Sequence, residues 1–142
     1  MKSNKISFIP ELNSNKIKAI ESITFNYGFK VALKFSEKFY PDAFECKVKS
    51  GEKTFYDIAF KKDSETNILG FLCTGGETEN YYNLDSEQDI INKLVKELDK
   101  MFDGKASKTY MNEYIFENWG QYEFTLGIWT QAFQEKNQLL IY

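Results

Sequence analysis

The sequence predicts an α+β fold: a mainly antiparallel or mixed sheet of about five strands, with one long and one short helix. Three observations support it. Several short segments alternate apolar and polar residues, the period-2 signature of half-buried strands. One segment, 87–102, repeats apolar residues at helical spacing. Aromatic residues make up 17% of the 142, with 13 Phe and 9 Tyr. Rings of this kind suit a pleated core or a ligand cavity.

Each element has its own reason. Lys5 to Leu12 reads as strand material, with Pro10 favouring extended backbone at Ile9. Asn13 or Ser14 can cap a short helix over 14–22, with Ile17 and Ile20 facing inward and Ala19 alongside. Phe29, Val31, Leu33 and Phe35 alternate with Lys30, Ala32, Lys34 and Ser36, and Phe44, Cys46 and Val48 alternate with Glu45, Lys47 and Lys49. Ser50-Gly51 turns the chain into a strand from Thr54 to Phe60. A polar turn leads to an apolar strand, Asn67 to Thr74, which Gly75-Gly76 ends.

The long helix follows. Asp85 or Ser86 caps it, and Ser86 with Asp89 resembles a capping box. Ile90, Ile91, Leu94, Val95, Leu98, Met101 and Phe102 form one apolar stripe, and Gly104 stands just past its end. Lys108 to Phe116 reads as a last strand, and 119–142 as an aromatic tail. The whole chain, 1–142, fits one domain.

Composition narrows the function. The net charge is -3 and there is no Lys/Arg run to neutralise phosphates, which argues against nucleic acid. Apolar runs such as Ile68 to Cys73 are too short to span a bilayer, and no export signal opens the chain. Cys46 and Cys73 make no disulfide framework and no zinc set, so free thiols, no metal and a cytoplasmic setting are expected. Histidine is absent, which removes His-based triads and general bases. Asp57, Glu77 and Glu79 show no spacing that argues acid–base work.

Four segments then resemble one family in collinear order over about residues 3 to 130. They are Lys5-Ile6-Ser7-Phe8-Ile9-Pro10-Glu11-Leu12, the run Gly28 to Tyr40, Ile68-Leu69-Gly70-Phe71, and Asn118 to Thr130. In the last, Trp119 is followed by Gly127 and then by an aromatic, Trp129. This resembles the Trp…Gly-x-Tyr segment of the FAD-dependent amine oxidases, the monoamine and polyamine oxidase-like flavoenzymes. The resemblance implies part of a substrate-binding domain. The fingerprint that holds FAD is absent: Gly70 to Gly76 is no G-x-G-x-x-G and ends a strand without opening a helix. Tight FAD binding by this chain is therefore not expected. The resemblance implies a chain that begins after one FAD segment and stops before the next.

It also implies site residues. Lys5 stands where some amine oxidases place a lysine near the flavin, a catalytic role that a buried amine suits; a solvated surface lysine is the other reading. Trp129 would form one wall of an aromatic cage for the amine substrate, and Trp119 would pack near the flavin and substrate; both could equally be packing residues. Ile128 occupies the cofactor-contacting place where monoamine oxidases carry a flavin-bonded cysteine, so any flavin would be non-covalent. Two functions stay open. One is a portion of an amine oxidase substrate domain, inactive alone, whose partners are the missing FAD-binding segments. The other is a small non-enzymatic ligand-binding or interaction domain. In either case uncovered aromatics in the tail suggest that it folds back on the sheet or meets a second copy, a homo-oligomer.

Overall fold

A computed structural model describes residues 6–45, 51–62, 65–125 and 127–128. In chain order the elements are α1 (Ser14–Ser22), β1 (Gly28–Phe35), β2 (Ala43–Glu45), β3 (Glu52–Asp57) and β4 (Asn67–Thr74). A 3-10 turn (Gly75–Thr78) then leads into α2 (Glu79–Tyr82), α3 (Glu87–Met101), α4 (Lys105–Thr109) and β5 (Tyr110–Asn118). The five strands form one antiparallel sheet in the order β2-β3-β4-β1-β5. The α+β expectation holds, with the antiparallel alternative realised.

The alternation read in the sequence decides the faces. Phe29, Val31, Leu33 and Phe35 of β1 are buried, together with Leu69, Phe71 and Cys73 of β4 and Phe55 of β3. Register carries this across the sheet: Val31 stands opposite both Phe71 and Phe116, and Phe71 opposite Phe55. Their rings pack at 4.7 Å (Phe55–Phe71), 5.7 Å (Phe29–Phe71) and 5.4 Å (Phe29–Phe116). Offset and tilted aromatic pairs of this kind add to what area burial alone contributes.

Helix α3 closes this face. Its apolar stripe, Ile90, Ile91, Leu94, Val95 and Leu98, is buried in the same cluster as the strand residues. Ser86 caps it by accepting from the Asp89 N–H at 3.2 Å while its hydroxyl donates to the Asp89 carboxylate at 2.6 Å. Glu87 and Asp89 in the first turn and Lys100 in the last complement the helix dipole. Gly104, at φ 74, reverses the chain, a backbone that favours glycine. Asp99 then accepts from the Ser107 N–H at 2.9 Å and ties α4 to α3. Burial acts to raise the Asp99 pKa, but these hydrogen bonds outweigh it and hold the carboxyl below its usual value.

Several expectations need correction. No residue of α1 is buried, and Ile17 is 43% exposed, so Ile17 and Ile20 do not face a core. The Asn13 side chain does cap it, accepting from Lys16 N–H at 2.9 Å; the cap sets where the helix starts, not what it packs on. The described part of the expected first strand, residues 6–12, is not a strand, and Ile9 is 98% exposed. Gly75-Gly76 ends β4 as expected, but the sequence reading did not foresee the 3-10 turn and α2 that follow, burying Glu77, Thr78 and Tyr81. The last strand begins at Tyr110, because Lys105–Thr109 coil first and Thr109 Oγ1 donates to the Lys105 carbonyl at 2.8 Å. Cys73 is a free, buried thiol, while Cys46 lies outside the described residues. Among the described residues, no helix is long and apolar enough to cross a membrane.

Candidate functional site

Three chain segments meet at one end of the sheet: the lead-in to β1, the turn and α2 after β4, and the exit from β5. Backbone bonds lock them. Gly75 N–H donates to the Tyr27 carbonyl at 3.0 Å, and Ile128 N–H to the Asn26 carbonyl at 3.0 Å. The Tyr82 hydroxyl meets Asn118 Oδ1 at 3.0 Å, joining α2 to the end of β5.

Two hollows flank Tyr82 and Gln121, which line both. One, of about 420 Å³, is lined further by Phe25, Tyr27, Gly76, Thr78 and Glu79. The other, of about 400 Å³, is walled by Phe116, Tyr122 and Leu84, with Asp85, Glu87 and Glu117 on its rim. Among the described residues, none lining either hollow is Lys or Arg. Ring faces beside carboxylates, with no basic side chain, favour an organic cation over an anion. The Tyr82 hydroxyl is pushed up to about 12 by burial first and then by neighbouring Cys73 and Tyr27, so it stays a neutral hydrogen-bonding group. A larger hollow, about 520 Å³, runs along α3 among Lys93, Lys96, Lys100 and several acids; its mixed charges favour neither sign.

The sequence-derived site residues fall unevenly. Trp119 is half-buried beside this corner, its ring 6.0 Å from that of Tyr122, and its carbonyl accepts from Thr125 Oγ1 at 2.8 Å. It is not among the residues lining either hollow. Ile128 sits on Gly28, where any side chain would collide with it. The fold thus brings Trp119 and Ile128 to the same end of the sheet. Lys5 and Trp129 lie outside the described residues. Tyr40 is buried, and Tyr110 and Tyr114 pack against the same cluster.

Sequence reasoning missed Tyr82 and Gln121, and it missed a cluster of charges inside the core. Lys53 Nζ lies 2.7 Å from Glu97 Oε2 and 3.6 Å from Glu77 Oε1, and the Tyr81 hydroxyl donates to Glu97 at 3.0 Å. The ammonium groups of Lys53 and Lys93 lie 5.1 and 4.8 Å from the Tyr81 ring centre. Neither Lys53 nor Glu97 lines the two hollows around Tyr82, so this cluster braces the fold. Nothing local marks it, because its members come from β3, the 3-10 turn, α2 and α3.

The thiol of Cys73 next to this cluster is pushed from 9.0 up to about 12, by burial first and then by Glu77. Burial also raises Tyr40 from 10.0 to about 12, and Tyr82 likewise. In each case the folded value lies above the unfolded one, so the protonated form is favoured by folding. Their contribution is whole below pH 9.0 and is lost as pH rises towards about 12. The unfolding free energy from denaturant melts should be level near pH 8 and fall above pH 9, by up to about 1.4 kcal/mol per pH for each group titrating. In Cys73→Ala the fall should begin nearer pH 10, where the tyrosines start to ionise. A flat profile to pH 11 would show that these groups are not sequestered.

A dinucleotide does not fit the described residues. Its pyrophosphate needs free backbone N–H groups at a helix start without opposing charge. The first turn of α3 carries Glu87 and Asp89, and that of α2 carries Glu79. The start of α1 is satisfied by Asn13, and at the start of α4 the Asp99 carboxylate already takes the Ser107 N–H.

Comparison with known proteins completes the picture. A family model described as flavin containing amine oxidoreductase matches residues 1–140. No curated protein matches the chain. Among solved structures, cyclohexylamine oxidase from Brevibacterium oxydans IH-35A superposes with a TM-score of 0.65 at 17% identity. The match covers 88% of this chain but only 28% of that enzyme, and at this identity it speaks for the fold.

Proposed function

The chain belongs to the flavin-containing amine oxidoreductase family, and from that premise we propose that it supplies part of the substrate domain of an FAD-dependent amine oxidase. The observation that carries this is the family match across residues 1–140. In such an enzyme a C–N bond of the amine is oxidised and hydride passes to the flavin. The role of this chain is to receive and orient the amine. The aromatic and acidic hollows around Tyr82, with no basic side chain among the described residues, support a cationic substrate. Trp119 and Trp129 are the substrate-side aromatics in this reading, Ile128 a neighbour of a non-covalent flavin, and Lys5 the catalytic amine. The flavin's dinucleotide is held by other parts of the enzyme, and the chain alone is inactive.

A second reading, a small non-enzymatic ligand-binding or interaction domain, is supported by the poor fit of the described residues to a pyrophosphate. One experiment separates the two. The purified chain is incubated with FAD, desalted, and titrated with a cyclic or aliphatic primary amine. The first reading expects no retained flavin spectrum, no oxidation, and amine binding that weakens with salt and with Glu79→Gln plus Glu117→Gln. Amine-independent behaviour would favour the second reading, and a yellow protein after desalting would overturn the separation of substrate and cofactor roles.

A further inference from the structure

We propose that Lys93 of α3 is a positioning residue for the hollow of about 420 Å³, holding α2 in place without touching the amine. The inference rests on the amine-receiving role proposed above. Two residues of α2, Glu79 and Tyr82, line that hollow. Glu79 supplies the negative charge and Tyr82 the ring that would face an ammonium. Lys93 lines neither hollow around Tyr82; it lies in the one along α3.

Helix α2 cannot hold itself there. It has four residues, far fewer than a helix needs to persist alone, and among the described residues no side chain caps its start. A helix leaves its last four carbonyls to be satisfied from outside, and in α2 those are all of them. Asn83 Nδ2 donates to the Glu79 carbonyl at 3.0 Å, the Leu84 N–H to the Tyr81 carbonyl at 3.0 Å, and Lys93 Nζ to the Asn80 carbonyl at 2.7 Å. Of these three bonds only that from Lys93 comes from another element. The same ammonium lies 4.8 Å from the centre of the Tyr81 ring, whose hydroxyl donates to Glu97, one turn further along α3. Thus α3 grips Asn80 and Tyr81, and the next residue is Tyr82. Charge alone predicts the opposite effect on binding. Lys93 is itself a cation and repels an ammonium, so its deletion should tighten amine binding unless its role is to place α2.

The test compares the full chain with Lys93→Met, Lys93→Arg and Lys96→Met, by amide hydrogen exchange and by calorimetric titration with n-butylamine at neutral pH. In Lys93→Met the Leu84 amide, which reports on α2, should exchange about tenfold faster, the size expected for losing one hydrogen bond from a charged donor. The amides of Leu94 and Val95 in α3 should keep their rates. n-Butylamine should bind Lys93→Met more weakly by a similar factor. Lys93→Arg, which keeps a donor and a charge for the Tyr81 ring, should restore both readings. Lys96→Met removes the same charge from α3 and should bind the amine no more weakly than the unsubstituted chain. An unchanged Leu84 rate in Lys93→Met would overturn the proposal. So would amine binding that is unchanged or tighter in that variant, or equally weakened in Lys96→Met. If the unsubstituted chain binds no amine, the amine-receiving role falls instead, and the Leu84 rate still decides whether Lys93 holds α2.

Discussion

Leu98→Ala should lower the unfolding free energy by about 2–5 kcal/mol, measured by denaturant melts at neutral pH. Leu98 is fully buried on the stripe of α3, in the cluster that holds the strand residues of the opposite layer. Two effects add. The lost methyl groups forfeit their transfer free energy, and the cavity left behind forfeits packing that rigid neighbours cannot restore. Helix propensity acts the other way, since alanine is the best helix former, but that gain is only a few tenths of a kcal/mol and does not decide the sign. Met101, on the same helix but 42% exposed, is the control: Met101→Ala should change stability by less than about 1 kcal/mol. Equal effects at both positions would mean that α3 does not pack as described.

Lys53→Met should cost about 3 kcal/mol, because it strands carboxylates that the fold has taken from water. Lys53 and Glu77 side chains each keep 11% of their exposure and Glu97 keeps 23%. That residual contact with solvent puts the cost at the low end of what breaking a buried pair usually takes. Adding Glu97→Gln should recover part of it, since the amide still accepts from Tyr81 and carries no charge. A double variant no more stable than Lys53→Met would place the energy in packing of the lysine stem over Tyr81 instead. Exposed pairs such as Lys34–Glu113, at 2.7 Å but with half-open side chains, should contribute less than about 1 kcal/mol.

What the sequence by itself determined is the part governed by local rules. Alternation in 29–35 decides which side of β1 is buried, whatever the neighbours are, because successive side chains point to opposite faces. The stripe, cap and terminal glycine of 86–104 likewise define α3, and the collinear motifs identify the family. Tertiary structure alone decided the rest. The cap of α1 is local, but its burial depends on a neighbour that the described fold does not offer. Tyr82 becomes part of a hollow only when the turn after β4 carries it to Asn118, 36 positions away. Lys53, Glu97 and Tyr81 look like ordinary surface residues until three separate elements close over them. Periodicity records which face of an element is apolar; it does not record which elements meet, and both the candidate site and the buried charges exist only where they meet.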